Sequence, residues 1–528
     1  MRAFAELLDG LSTTQSRTGK LALLTAYLRE APDPDRGWAL AALTDGLPVR
    51  IGFRRILSDL MGERTDPVLF KLSRDFVGDT AETVALLWPE PATASEPPRL
   101  SEVVDRLLAA RPAGHAAILA DVLDRSSARE RWAFLKLVGG APRVGVSARL
   151  AKTAVAEIGG LDVSQIEEVW HALKPPYAEL FDWIAGEGPR PDPGAVPVFR
   201  PLMLATPIED ADWPGLDPSD FAAEWKWDGI RVQVAAKGGD VRIYSRTGDD
   251  VSPAFPEIRS AFAHVDAVAD GELLVVRDGA VAPFNDLQQR LNRKTVSARM
   301  LREHPAHLRL YDLLFAGEED LRPLGFGQRR SRLEAWHGET RPPLSDLSAL
   351  VPFSDFSELE DLWRGAREAG IEGLMLKRRA SPYLAGRPKG HWFKWKRAAL
   401  TLDCVLMYAQ RGSGKRSSLY SDFTFGVWRA KAGCEERELV PVGKAYSGFT
   451  DAELRELDRF IRTNTTETFG PVRAVAPKLV LEIAFDAVQR SSRHKSGVAM
   501  RFPRIHRIRW DKPADEADTL DATLALII

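Results

Sequence analysis

The feature that most constrains this chain is a change of hydrophobic rhythm at GEGPRPDPGAVP (Gly186 to Pro197). Before it, LALLTAYLREA, DPVLFKLSRDF, LSEVVDRLLAA, AGHAAILADVL, ARERWAFLKLV and QIEEVWHALKP repeat apolar residues at three- and four-residue spacing. That period puts one apolar stripe along a helix, and the Pro, Gly and Asp between the runs break one helix from the next. The Pro- and Gly-rich segment reads as a linker. After it, FAAEWKWDGIRVQVAA, DVRIYSR, DAVADGELLVV around Asp270 and HLRLYDLLF carry strand-like alternation. LEDLWRGAREAG reads as a helix stopped by Gly370 before the strand IEGLMLKRR.

Beyond Arg397, the runs TLDCVLMYAQ, FTFGVWRA, LVPVGKAYSG and LVLEIAFDAV read as strands. One helix, TDAELRELDRFIRT, is opened by the capping signal of Thr450 with Glu453 three residues on. That inventory suits a small β-barrel of the oligonucleotide-binding type. With 528 residues the chain exceeds one hydrophobic core. The expectation is a multidomain protein: an all-α domain over 1–190, an α+β domain over 198–398 and a β-barrel over 399–528.

A net charge of −2, from 72 basic and 74 acidic residues, announces no polycation, so distribution carries more information than the total. Gly386 to Arg397 holds Arg387, Lys389, Lys394, Lys396 and Arg397 with no acid. Between Gln489 and Pro513 lie Arg490, Arg493, Lys495, Arg501, Arg504, Arg507, Arg509 and Lys512 against Asp511 alone. Trp392, Phe393, Trp395, Phe502 and Trp510 interleave them, which suits ordered strands that gather cations on one face as anion sites. Hydrophobic content of 45% and charged content of 28% are ordinary for soluble chains, and no run approaches the ~20 apolar residues of a membrane span. The N-terminus, MRAFAELLDGLSTTQSRTGK, lacks the apolar core and cleavage site of a signal peptide. Two cysteines, Cys404 and Cys434, build neither a zinc cluster nor a disulfide framework, so a cytoplasmic protein is expected.

EWKWDGIRVQV places Lys226 two residues before the Asp228-Gly229 turn, with Arg231 beyond it. Alone, so short a pattern is weak. A nucleophilic lysine must lose a proton that it ordinarily holds to a pKa of about 10.4, and nearby cations favour the neutral amine. Later segments supply candidates: Arg246 in YSRTG, Asp270 and Glu272 in DGEL, Glu372 and Lys377 in EGLMLK, and Lys394 and Lys396 in WFKWK. Lys394 and Lys396 share one side of an extended strand. Nine histidines without metalloenzyme spacing disfavour zinc hydrolysis.

The ordered set K-x-D-G, S-R-x-G, D-G-E, Y-D-L-L, E-G-L-M-L-K and W-x-K-x-K, from about Phe199 to Arg397, resembles the covalent nucleotidyltransferase superfamily of DNA ligases, RNA ligases and mRNA capping enzymes. The resemblance implies an ATP-grasp-like nucleotidyltransferase fold for 198–398. It implies Lys226 as the residue that carries AMP, with Asp228 as a further catalytic residue of its motif. Glu224 resembles the residue that bonds the adenine edge, and Tyr311 the aromatic that stacks on adenine, where phenylalanine is commoner. Arg231 and Arg246 resemble ribose and phosphate contacts, Glu272 and Glu372 the carboxylates for Mg²⁺ (or Mn²⁺), and Lys394 and Lys396 the pair on the α-phosphate. Lys377 joins Lys394 and Lys396 as a cation acting on Lys226.

RFPRIHRIRWDKP resembles the terminal motif of ATP-dependent DNA ligases, which implies that Arg507, Asp511 and Lys512 orient the departing pyrophosphate and that Arg501 and Arg504 meet DNA. The helical region resembles the DNA-binding domain of larger ligases in LKLVGGAPRVGVSARLAKTAVAE, where Arg143 lies among Gly139, Gly140 and Gly145 as a DNA contact. Two cysteines cannot make the four-cysteine zinc site of NAD-dependent ligases, so ATP is the donor that the resemblance implies. The bacterial branch associated with DNA-damage response is the most similar. The implied partner is nicked duplex DNA bound by a monomer, with end-processing left to other repair proteins and a hinge just after Arg397, near Asp403. An RNA ligase or RNA-end repair enzyme of the same chemistry, and a non-catalytic DNA-binding scaffold, remain as alternatives.

Overall fold

The computed structural model describes residues 1–527 except 50, 91–95, 141, 292, 294, 366–370, 397–398, 413–418, 431–435 and 492–493. Gly370, Arg397, Cys434 and Arg493 therefore lie outside the described residues. The chain forms two compact units: Gly10–Leu47 with Gly145–Arg397, here the sheet-pair unit, and Met1–Asp9, Pro48–Val144 and Ala398–Ile528, here the terminal unit. The N-terminal helices are shared between them. Among the described residues, no helix is long and apolar enough to cross a membrane.

In the sheet-pair unit, the helices Arg17–Glu30, Asp35–Leu43, Ala148–Gly159, Val163–Val169 and Ala178–Ala185 fall on the runs with helical period or beside them. Thr25 ties the first of these to the third by donating to Glu157 at 3.0 Å. One sheet runs in the order Thr206–Pro207, Trp392–Lys396, Ile371–Arg378, Phe221–Trp227 and Leu350–Val351. The other is built on Asp240–Ser245, Ile230–Lys237, Ala267–Arg277 and Ala306–Ala316. Phe221–Trp227 and Ile230–Lys237 lie in different sheets, so Asp228-Gly229 is the turn that takes the chain from one to the other. Val232, Val234, Ile243, Leu273, Leu308 and Leu313 are buried in the core of the second sheet, and Phe221, Leu374, Leu376 and Phe393 in that of the first. Alternation along each strand leaves the opposite face free for polar chemistry.

The terminal unit combines six helices, from Phe53–Arg64 to Ala128–Val138, with the β-rich region that starts at Leu400. Buried Arg131 binds this helical part together, donating to the carbonyls of Leu123, Trp88 and Pro89 at 2.8, 3.0 and 2.9 Å. Leu400–Arg411 pairs antiparallel with Tyr420–Ala430, Val472–Val475 and Val480–Phe485, and Val480–Phe485 pairs in turn with Arg504–Arg509. The helix Asp451–Asn464 begins at the capping box read from the sequence: the Thr450 amide donates to Glu453 at 2.7 Å and the Glu453 amide to the Thr450 hydroxyl at 3.3 Å. This is the β-rich, oligonucleotide-binding-like region expected after Arg397. Asp403, however, sits within a strand, opposite Glu482, so its backbone is fixed by pairing rather than free to pivot.

Candidate active site

Register across the first sheet sets out three rows. Lys226, Gly373 and Lys396 form one, Glu224, Met375 and Lys394 the next, and Ala222, Lys377 and Trp392 the third. Residues directly opposite one another share a face, so the two lysines of W-x-K-x-K stand on the side that bears Lys226 and Glu224. Two glycines permit this closeness. A Cβ at Gly373 would lie 2.2 Å from the Trp395 carbonyl oxygen, and one at Gly229 would lie 2.7 Å from Glu272 Cγ. The register shifts between Ile371 and Gly373, and this bulge at Glu372 accompanies an ion pair of its carboxylate with Lys226. The same carboxylate is 3.4 Å from Lys396.

A cavity of about 360 Å³ opens on these rows and on the second sheet. Its lining brings together Glu224, Lys226, Arg231, Arg246, Glu272, Tyr311, Lys377, Lys394 and Lys396, nine of the positions singled out in the sequence. Glu372 reaches the site through Lys226, and Asp228 lies in the sheet-changing turn. Burial pushes the Glu272 carboxyl up to about 8, against Lys226 and Arg231 and with help from Glu372 and Asp228. Burial pulls the Lys394 ammonium down, and Arg387, Lys396, Arg246 and Lys226 add to the effect. The cavity thus holds a cluster of cations short of counter-charge, the condition that favours an anion of several charges.

Two residues of the lining have partners that the sequence did not announce. The Lys377 ammonium pairs with Glu224 and lies 4.5, 4.8 and 4.7 Å from the rings of Tyr311, Phe326 and Trp392. It stands four residues along the strand from Gly373, roughly 13 Å at the usual rise, too far to act directly on Lys226. The Arg231 guanidinium is tied to Asp270 at 2.7 Å, the Met203 carbonyl at 2.8 Å and the Tyr383 hydroxyl at 3.2 Å, so the cavity meets an already anchored group.

The terminal motif lies in the other unit. Lys512 donates to Asp403 at 2.8 Å, Arg509 pairs with Asp511 at 2.9 Å and with Asp403 at 3.4 Å, and Arg507 is exposed opposite Glu482. The Arg509 guanidinium draws Asp511 down to about 2. Arg504 pairs with Asp486 at 3.3 Å, and Arg501 lies 5.2 Å from the ring of Phe502. Arg143 adopts a left-handed backbone (φ 53°), as does Gly140 (φ 95°).

Residues 202–396 match the model of the ATP dependent DNA ligase domain, and 416–512 that of the ATP dependent DNA ligase C terminal region. A probable DNA ligase of Koribacter versatilis is 32% identical over 99% of this chain and 95% of its own length. The chain belongs to the ATP-dependent DNA ligases. It uses ATP to seal nicks in DNA. DNA ligase 1 of Korarchaeum cryptofilum is 31% identical over 99% of this ligase and 97% of its own length. The solved chain Pmar-Lig_Pre shares the fold, with a TM-score of 0.59 at 17% identity, over 96% of this ligase and 99% of that chain.

Several residues of the ligase site carried no signal in the sequence. Arg330 pairs with Glu224 at 3.3 Å and donates to the Ser348 carbonyl at 2.7 Å, while its neighbour Arg329 is buried on Asp312 at 2.8 Å. Adjacent arginines in a helix read as a solvated face, and only the packing of Phe326–Thr340 turns both inward. Tyr383, in the loop between two strands, gives its hydroxyl to Asp270 at 2.5 Å and thereby fixes the partner of Arg231.

Proposed function

We propose that Lys226 is the nucleophile of this ligase. Its amine attacks the α-phosphorus of ATP, a P–N bond forms as the bond to pyrophosphate breaks, and AMP then passes to the 5′-phosphate of a nick. The 3′-hydroxyl attacks that 5′–5′ linkage and AMP leaves. The observation that carries this reading is the row of Lys226, Gly373 and Lys396 with Glu372 between the two ammonium groups. Nucleophile, phosphate cation and carboxylate converge on one cavity. Nucleotidyl transfer needs positioning and charge neutralisation more than acid–base chemistry, and the cluster around Lys394 suits it.

Glu224, held by Lys377 and Arg330, bonds the adenine edge, and Tyr311 stacks on the base. Arg231 and Arg246 take ribose and phosphate oxygens, and Lys394 and Lys396 hold the α-phosphate. Asp228 helps to shape the turn behind Lys226. Mg²⁺, or Mn²⁺ in its stead, fits Glu272 and Glu372: Glu272 is pushed up to about 8 by burial beside two further carboxylates, and Mg²⁺ is commonly held by one or two carboxylates plus substrate phosphates. Among the described residues no group of three or more His, Cys, Asp or Glu is gathered for a metal. When bound, the ion neutralises charge on the reacting phosphates.

The segments 1–190, 198–398 and 399–528 act as DNA-binding, adenylation and barrel parts. Arg507, Asp511 and Lys512 orient pyrophosphate, and Arg143, Arg501 and Arg504 meet the DNA backbone, so binding is independent of sequence and weakened by salt. The ligase works as a monomer on the bacterial nucleoid in DNA-damage repair, with ends prepared by other proteins. The test incubates the protein with α-labelled ATP and Mg²⁺ and chases the label into nicked DNA or nicked RNA duplex. Label that persists in Lys226→Ala refutes the nucleophile, and transfer to RNA in preference to DNA refutes the acceptor.

A further inference from the structure

The turn that carries Arg246 is held from behind by a residue of the helical segment. Ser245–Asp249 is closed by the Ser245 amide on the Asp249 carbonyl at 2.8 Å and the Gly248 amide on the Ser245 carbonyl at 2.9 Å. The Ser245 hydroxyl accepts from the amides of Thr247 and Asp249, each at 3.2 Å. Gly248 has φ +84°, and a Cβ there would lie 3.2 Å from the ring of Phe199. The carbonyl of Gly248 meets Nε2 of His171 at 2.7 Å. His171 belongs to the single turn Trp170–Ala172, directly after the helix Val163–Val169.

A carbonyl oxygen can only accept, so Nε2 carries the hydrogen. Nδ1 is buried without a partner, which makes the ring the neutral Nε2–H tautomer, and burial holds its pKa down at about 4. The ring packs 4.3 Å from Tyr244 and 6.1 Å from Phe199, the two aromatic residues flanking the turn. Arg246 is exposed, lines the cavity and is one of the cations that press on Lys394. Nδ1, the other polar atom of the ring, has no hydrogen-bond partner. Leucine removes both the ring contacts and the hydrogen bond, whereas glutamine removes the ring and keeps a donor, so the two variants together isolate the hydrogen bond.

We propose that His171 is a positioning residue for adenylation: its Nε2–H bond to Gly248 fixes the turn that presents Arg246 to the nucleotide, so the helical segment contributes to the ATP site. The inference rests on the reading of Arg246 as a ribose or phosphate contact. A side chain acting through another reveals itself by non-additivity. Full-length H171L, H171Q, R246A and H171L/R246A are compared in the rate and KM of Lys226 labelling from α-labelled ATP. The Gln amide keeps an N–H donor near the position of Nε2, whereas Leu keeps only bulk.

H171L is expected to lower labelling about tenfold, H171Q to stay within about twofold of wild type, and H171L to change R246A less than about twofold. Equal losses from H171L in both backgrounds, or H171Q as impaired as H171L, overturn the positioning role. R246A labelling at the wild-type rate refutes the reading of Arg246 and takes the proposal with it. If H171L melts below the assay temperature, H171N, whose amide is one methylene short of Gly248, replaces it as the donor-deficient variant with the same outcomes.

Discussion

Two clusters of basic residues in this ligase are managed in opposite ways. In the cavity, Lys226, Arg246 and Lys396, together with Arg387 beyond its lining, help burial to pull Lys394 down, and the carboxylate of Glu372 serves both Lys226 and Lys396. In the terminal motif three cations have a near acid: Lys512 on Asp403, Arg509 on Asp511 and Asp403, and Arg504 on Asp486. Uncompensated charge held by a rigid sheet is costly alone and favourable once phosphates arrive. Compensated charge at a strand end is stable as it stands and must exchange partners to act. The cavity is thus a preorganised anion site, and the terminal motif a set of cations that a substrate must win from carboxylates.

The largest effect that can break this contrast is at Lys226. Lys226→Ala should remove covalent label from ATP by roughly 10⁴-fold or more, because its amine is the group that forms the P–N bond. Next comes Lys512→Ala, expected to slow labelling about 10²-fold while leaving the sealing of pre-adenylated nicks nearly intact, as measured by single-turnover ligation. A slowed third step instead would put Lys512 on DNA. Gly373→Ala tests the rigidity of the cavity: its Cβ would meet the Trp395 carbonyl at 2.2 Å. The clash should push Lys394 and Lys396 out of row, cost about 1–3 kcal/mol in denaturant unfolding and slow labelling about tenfold.

The smallest effect concerns Lys152, a further cation kept without full compensation in the sheet-pair unit, 4.6 Å over the ring of Trp170. Burial pulls it down to about 8, with Glu167 and Asp249 opposing and Arg149 adding to the shift. Its folded value lies below the unfolded one of 10.5, so between these two pH values the unfolded chain holds more protons and stability rises with pH. Below pH 8 both states are protonated and the whole penalty remains. Lys152→Met should therefore stabilise the protein by roughly 1–3 kcal/mol at pH 7, and its advantage should shrink as pH rises above 8. An advantage that stays constant to pH 10 would mean that packing, not charge, is the cause.

How much of this was legible beforehand differs by residue. Lys226, Lys394, Lys396, Glu272 and Glu372 could be found because short motifs keep fixed spacing along single strands, where alternation decides which side chains share a face. Thr450 and Glu453 were readable because a capping box is local. Lys377 shows the converse: its motif names the strand, but only sheet register sets it four residues from the row of Lys226 and opposite Trp392. Arg330, Tyr383 and His171 left no trace, since each acts on a residue at least 77 positions away.

By itself the sequence determined the switch from helices to strands at Gly186–Pro197, the chemical groups of the cavity and their order along the chain. These are local quantities, set by side-chain period, turn chemistry and motif spacing. Only the tertiary structure decided that the N-terminal helices divide between two units, that Asp403 is locked in a strand and holds Lys512, and that the turn bearing Arg246 leans on His171. Those outcomes depend on which apolar faces find one another across long stretches of chain, and a one-dimensional pattern does not encode the partner of a face, only that the face exists.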